Sequence, residues 1–336
     1  MSEPPRQGLS SRPSSRLLWP LLGLALLIVF NLIFDRGFFE IGSREGNLYG
    51  PLLTVLRLSV KVMFLALGMT LVIATGGVDL SVGSMTAVVG ALVAQMAVGG
   101  QWSLIALIAV AVLLAAVAGV INGTLVTVVG LQPIVATLIL MVLGRGVALN
   151  ITGGNPVPVN EHGLLQIGRG FFAGLPISLW LVAIFYLATA VLSRRTAFGL
   201  FVEAVGDNET ASRFSGVNTR RVKLTVYAFC SVCAALAALV TVGDVGRVEP
   251  DRLGQLLELD AITAVVVGGT VLTGGRFSLT GSIIGAVLIQ ALTTTLIRQG
   301  MSSEVAPVPK ALVILAVCLL QSERLRAQLS WRKSRS

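Results

Sequence analysis

Thr75-Gly76-Gly77-Val78-Asp79-Leu80-Ser81-Val82-Gly83-Ser84 separates two apolar runs, one over residues 60–75 and one over 84–98. Glycines weaken a helix here and Asp79 adds a carboxylate, an interruption that is costly in lipid. Such backbone is tolerated near membrane depth where it is buried in protein or lines an aqueous path. On that reading Gly76, Gly77, Asp79 and Ser81 belong to a transport pathway or its gate. The same residues also fit a tight cytoplasmic turn in which Asp79 caps the following helix. Both readings stay open, and both place the stretch in a membrane protein.

The rest of the chain agrees. Of 336 residues, 54% are hydrophobic and 12% charged, about half the charge of a soluble domain. Apolar runs near the roughly 20 residues of a membrane-crossing helix recur, which makes the fold class all-α and polytopic. We place ten spans: 17–34, 60–75, 84–98, 103–127, 133–151, 176–192, 224–243, 259–273, 281–299 and 306–320. The first follows Arg6, Arg12 and Arg16, but it is long and has no Ala-x-Ala cleavage pattern after it, so it reads as a retained span rather than a signal peptide. Residues 48–60 contain Arg57 and lead to Lys61, which suggests an interfacial helix running into a short second span.

The net charge of +9 is concentrated in three stretches: +2 over residues 1–16, +3 over 193–223 and +4 over 321–336. An even number of spans puts all three on one side, the cytoplasmic side by the positive-inside rule. The chain then divides into a cytoplasmic tail (1–16), a transmembrane domain (17–320) that carries the cytoplasmic segment 193–223, and a second tail (321–336), with both termini cytoplasmic. Charge placed this way argues against nucleic acid as a partner and for lipid. The long outer connection 152–175, with the sole histidine His162, reads as solvated loop.

Catalytic signatures are mainly absent: no metal-ligand cluster, no Gly-x-Ser-x-Gly elbow and no phosphate-binding Gly-x-x-x-x-Gly-Lys loop. The chain is therefore not an ATPase, and active transport would draw on another subunit or an ion gradient. Cys230 and Cys233 lie inside the run 224–242 and read as small buried helix residues. Glycines one turn apart, Gly119 with Gly123 and Gly281 with Gly285, suit close helix packing. Asn122, Gln132, Thr137 and Gln290 are polar groups suited to a cavity for a hydroxylated solute. The pattern TGGxxxxxGS occurs at Thr75 to Ser84 and again at Thr273 to Ser282, which suggests an internal repeat with both copies on the cytoplasmic side.

In the cytoplasmic segment, Glu203, Gly206, Asn208, Glu209, Arg213 and Gly216 fall in a pattern that suits a short capped helix. Asp207 or Asn208 can cap its start, Glu209 favours the positive end of its dipole, and Gly216 can end it in a left-handed conformation. Such a helix fits docking on a motor subunit, and it fits a solvated basic loop as well.

Gly77 to Gly83 resembles the Gly-Ile-Asp-Leu-Ser-Val-Gly motif of the ribose-type family of bacterial ABC importer permeases, with Val78 in place of isoleucine. Further matches follow in order: Asn122-Gly123, Pro133 with Ala136-Thr137-Leu138, Arg145-Gly146, Gly206 with Asn208 and Ala211, Ser215-Gly216-Val217 and Glu258 to Ile262. Asp207, in place of the usual glycine, and Arg276-Phe277, in place of a glycine-rich tail, depart from the family and point to a subfamily; Gly275-Arg276-Phe277, Gly216 to Arg220 and Phe201 with Glu203 to Gly206 resemble permeases of galactofuranose importers. The resemblance implies an inner-membrane permease for a sugar, galactofuranose or a related monosaccharide. It also implies a second permease, identical or homologous, a separate ATPase that binds ATP and magnesium, and a periplasmic sugar-binding protein, with no cofactor in this chain. A proton-coupled sugar carrier using Asp79 and Asp260 is the alternative.

Overall fold

The computed structural model describes residues 14–312, other than 45, 303 and 304, together with residue 315. Its helices in chain order are α1 (Ser14–Phe34), α2 (Pro51–Ala74), α3 (Val82–Val98), α4 (Leu104–Thr124), α5 (Pro133–Thr152), α6 (His162–Arg169), α7 (Ile177–Arg195), α8 (Ala197–Asp207), α9 (Glu209–Phe214), α10 (Thr219–Val245), α11 (Leu257–Val267) and α12 (Leu279–Arg298). Local chemistry sets many of the starts. Pro51 and Pro133 begin α2 and α5, where the missing amide proton is not needed. Ser103, Asn208, Asn218 and Ser278 each accept a bond from a first-turn amide of α4, α9, α10 and α12.

Among the described residues six helices are long and apolar enough to cross a membrane: α2, α4 with its π-helical extension Leu125–Val129, α5, α7, α10 and α12. The apolar part of α1, Pro20–Phe34, and α3 are shorter. The centre of the bundle is α2 with α10. Every residue of α2 from Val62 to Ala74 is buried, and α10 packs on α2, α3, α4 and α6. Outside this core α4, α5 and α7 turn Leu113, Val142, Leu143, Ile184 and Leu187 outward, an apolar surface suited to lipid or to another membrane subunit.

Small residues let these helices approach closely. A Cβ at Gly119 would lie 2.6 Å from the Tyr227 carbonyl oxygen, and one at Gly123 would lie 2.9 Å from the Leu224 Cα. Gly281 and Gly285 sit likewise against Gly268 and Ala264, holding α12 on α11. Cys230 and Cys233 are free and buried, packed against Gly68 of α2, as their place in an apolar run predicts.

The structure corrects several boundaries. No separate interfacial helix precedes the second span, because α2 is continuous over 24 residues from Pro51. Arg57 is accommodated by an ion pair of 2.6 Å with Asp244 of α10. The expected span 259–273 is an 11-residue helix that ends at Val267, where the Gly268-Gly269 turn starts. The connection 152–175 is not all loop: His162 opens α6, which Glu161 caps and which lies against the end of α10. The tails 1–16 and 321–336 fall largely or wholly outside the described residues, as does the second half of the expected span 306–320 apart from residue 315.

Three short antiparallel pairs join connections: Gly42–Arg44 with Asn47–Tyr49, Val157–Pro158 with Arg247–Val248, and Phe171–Phe172 with Leu175–Pro176. The second pair lies where α10 ends, and α8 and α9 lie where α10 begins, so the two mark opposite ends of the bundle.

Candidate translocation and coupling sites

After Ala74 the chain leaves the helix through Gly76, whose φ of 77° is a left-handed conformation that glycine adopts without a Cβ penalty. It then runs back into the bundle to start α3 at Val82. Asp79, on this return, is fully buried. Its Oδ1 accepts hydrogen bonds from the Ser81 amide (2.9 Å) and the Ser81 hydroxyl (2.6 Å), and a longer one from Asn122 Nδ2 (3.4 Å). Asn122 Nδ2 also donates to Ser81 Oγ at 2.8 Å, which ties the turn to α4. Thr137 Oγ1 reaches the Val78 carbonyl at 3.4 Å from α5. Asp79 Oδ2, Asn122 Oδ1, Tyr227 OH and Ser231 Oγ are buried without a hydrogen-bond partner among the described residues.

This geometry corrects the capping part of the second reading of Asp79 and keeps its tight turn. Ser81 holds the N-cap position of α3 and makes no side-chain cap bond, while Asp79 bonds the backbone two residues on, an Asx-type turn. The carboxylate organises the break and does not cap the helix. The cluster gathers Gly76, Gly77, Asp79, Ser81, Asn122 and Thr137 in one place. Gln132 is exposed at the start of α5, and Gln290 bonds Thr294 on α12, so neither joins it. Tyr227 and Ser231 of α10 were missed by sequence reasoning: Tyr227 faces the break, where a Cβ at Gly77 would lie 2.6 Å from its OH, and Ser231 lies against Gly119 of α4. Their signal was positional only, since both sit in an apolar run with no motif of their own.

The second Thr-Gly-Gly turn meets the first. The Gly275 amide donates to the Ala74 carbonyl at 2.9 Å, and Thr70 Oγ1 donates to Ser282 Oγ at 2.7 Å. Both copies therefore lie at one end of the bundle, as expected. Gly206 of α8 rests on this junction, and any Cβ there would collide with the Ala74 carbonyl oxygen and the Gly275 nitrogen. One helix outside the core thus touches the turn that leads to α3 and the turn that leads to α12.

The segment 193–223 holds two short helices, α8 and α9. The capped helix is α9: Asn208 Oδ1 accepts from the Ala211 amide at 2.9 Å, and Gly216 ends it with φ 86°. The helix before it, α8, was not read from the sequence. Glu209 bonds Lys223 of α10 at 2.6 Å and Arg213 at 3.4 Å, so it fixes α9 to the bundle. Burial alone would raise the Glu209 carboxyl, but the Lys223 hydrogen bond and the Lys223 and Arg213 charges more than offset it and hold it below the usual carboxylate range. Phe214, also missed, stands 89% exposed on α9. Glu203 and Asp207 of α8 face Thr273, Gly275 and Arg276 across an open cleft of about 620 Å³.

Residues 52–320 match the family described as branched-chain amino acid transport system / permease component. The chain belongs to this permease family. It is 40% identical over 331 residues to the galactofuranose transporter permease protein of Escherichia coli, covering 97% of each chain. It is 42% identical over 321 residues to the fructose import permease protein of Bifidobacterium longum, covering 93% of this chain and 89% of that one. With the ribose import permease protein of Escherichia coli it shares 36% identity over 310 residues, 90% and 93% of the two. No solved structure matches. The permease is thus the membrane subunit of an ABC importer, a transport component without an ATPase site, and the proton-coupled alternative falls away. Asp260, one of the two carboxylates that alternative needed, is held by Lys310.

Proposed function

We propose that this permease imports a monosaccharide across the inner membrane, paired with a second permease, loaded by a periplasmic sugar-binding protein and driven by a separate ATPase. Support for the sugar comes from relatives with 36 to 42% identity over nearly the whole chain, named for galactofuranose, fructose and ribose. We place α8, α9 and the Arg276 cleft on the cytoplasmic side, where Phe214 and Glu203 meet the ATPase. The observation that carries the mechanism is the seat of Gly206 on the Ala74–Gly275 hydrogen bond. A motor that moves α8 differently in its two nucleotide states would bias both glycine turns together, and through them the packing of α3 and α12.

The family description names branched-chain amino acids, so the substrate is tested directly. Proteoliposomes holding the permease with its cognate ATPase and binding protein are expected to accumulate a labelled furanose or hexose only with ATP. ATP-dependent uptake of leucine without any sugar uptake would reverse the substrate assignment.

A further inference from the structure

A cavity of about 290 Å³ opens at the end of the bundle away from α8 and α9. Its polar lining is Lys61 from α2, Thr241 from α10, and Arg247, Glu249, Arg252 and Gln255 from the connection into α11; Leu253 and Leu257 supply apolar wall. Lys61 lies 13 residues before Ala74, about 20 Å up α2 from the Gly206 junction at 1.5 Å per residue. Arg145 of α5 fixes this connection by donating to the Leu253 and Gly254 carbonyls at 2.6 and 2.7 Å.

The charges around the cavity are committed, with one exception. Asp244 and Asp260 are the carboxylates whose field reaches Lys61. Asp244 is held by Arg57 at 2.6 Å, and Asp260 by Lys310. Glu249, on the cavity wall, pairs with Arg247 at 2.6 Å and approaches Arg252 at 3.9 Å. Lys61 makes no hydrogen bond or ion pair with any described residue. An ammonium with three donors, buried inside a membrane bundle, is costly to leave unpaired.

We propose that this cavity is a monosaccharide subsite on the transport path, in which Lys61 donates to hydroxyl or ring oxygens of the sugar. Thr241 and Gln255 offer further donors and acceptors, and the two leucines face the C–H side of the ring. The volume lies at the lower edge of the ~300–1,000 Å³ of small-molecule sites, which fits one sugar ring and not a disaccharide. The inference rests on the reading of the chain as a sugar permease.

The test uses the complete importer in nanodiscs. An amine-reactive reagent followed by mass spectrometry reads each lysine separately, with Lys223 at the other end of the bundle as internal reference. D-galactose, D-fructose or D-ribose at high millimolar concentration is expected to slow modification of Lys61 about threefold relative to Lys223, and glycine betaine at equal osmolality is not. Lys61→Met is expected to lower sugar uptake about tenfold while ATP hydrolysis driven by the loaded binding protein stays near wild type. Unchanged Lys61 reactivity in all three sugars overturns the site, as does wild-type uptake by the methionine variant. Shielding of Lys61 in a complex that imports no sugar upholds the site and overturns the transport reading instead.

Discussion

At the scale of single residues the Asp79 cluster sets the terms. Three donor contacts converge on one buried oxygen, so removing the carboxylate strands donors on Ser81 and Asn122, each at about 1–3 kcal/mol when buried and unpaired. Asp79→Asn keeps an acceptor there and Asp79→Ala does not. The asparagine variant is expected to assemble at close to wild-type yield yet transport poorly, because the break is held by weaker bonds; the alanine variant should lose folded protein. Size-exclusion yield beside uptake rates separates the two, and normal uptake by Asp79→Asn would reduce the cluster to packing. Glu209 gives a residue-level prediction in pH. Its carboxyl is held low in the folded chain, so the Lys223 pair contributes fully above the unfolded carboxylate range, near pH 4.3, and is lost as pH falls through the lower folded value. Since Glu209 is more than a third exposed, solvent screens the pair and the effect is small. Amide exchange over residues 209–214, corrected for intrinsic rate, is expected to quicken on moving from neutral pH to below pH 4. An unchanged rate would show that Lys223 does not fix α9.

Among elements, α8 and α9 are the informative pair. Gly206→Ala is expected to push α8 off the Ala74–Gly275 junction and uncouple ATP hydrolysis from uptake, with membrane insertion intact. Gly216→Val places a branched residue at φ 86°, where a left-handed backbone costs roughly 1–2 kcal/mol, and should unseat the end of α9. Hydrolysis, uptake and co-purification of the ATPase, all at wild-type levels in both variants, would remove the coupling assignment. Much of this scale was legible in the chain. Apolar runs gave the spanning helices, and the caps at Asn208 and Gly216 gave α9. What stayed hidden is tertiary. Nothing local says that Arg57 reaches Asp244, so an interfacial helix stood in for the first turns of α2. Val265 to Val267 read as mid-span because hydropathy does not register that Gly268 must pass against Gly281. The site was half legible for the same reason: Asp79 and Ser81 share a motif, whereas Tyr227 joins them only through the packing of α10.

For the whole molecule, the charge distribution predicts orientation. Reporter fusions are expected to place both termini and Asn208 in the cytoplasm and His162 in the periplasm, since an even span count would put the three positive stretches on one side. A periplasmic carboxyl terminus would refute the even span count. The position of α10 in the chain has a consequence for biogenesis. The faces of α2, α3, α4 and α6 that pack on α10 are all synthesised before it. Until residues 219–245 emerge, the Gly119–Gly123 face of α4 and the Gly68 notch of α2 lack the α10 backbone they are cut for, and lipid cannot fill such a groove. Insertion and packing need not coincide in this protein: a nascent chain halted in α9 could already hold α3 on α5, whereas the interior that α2 and α4 share waits for α10, and α11 and α12 close on α2 only afterwards.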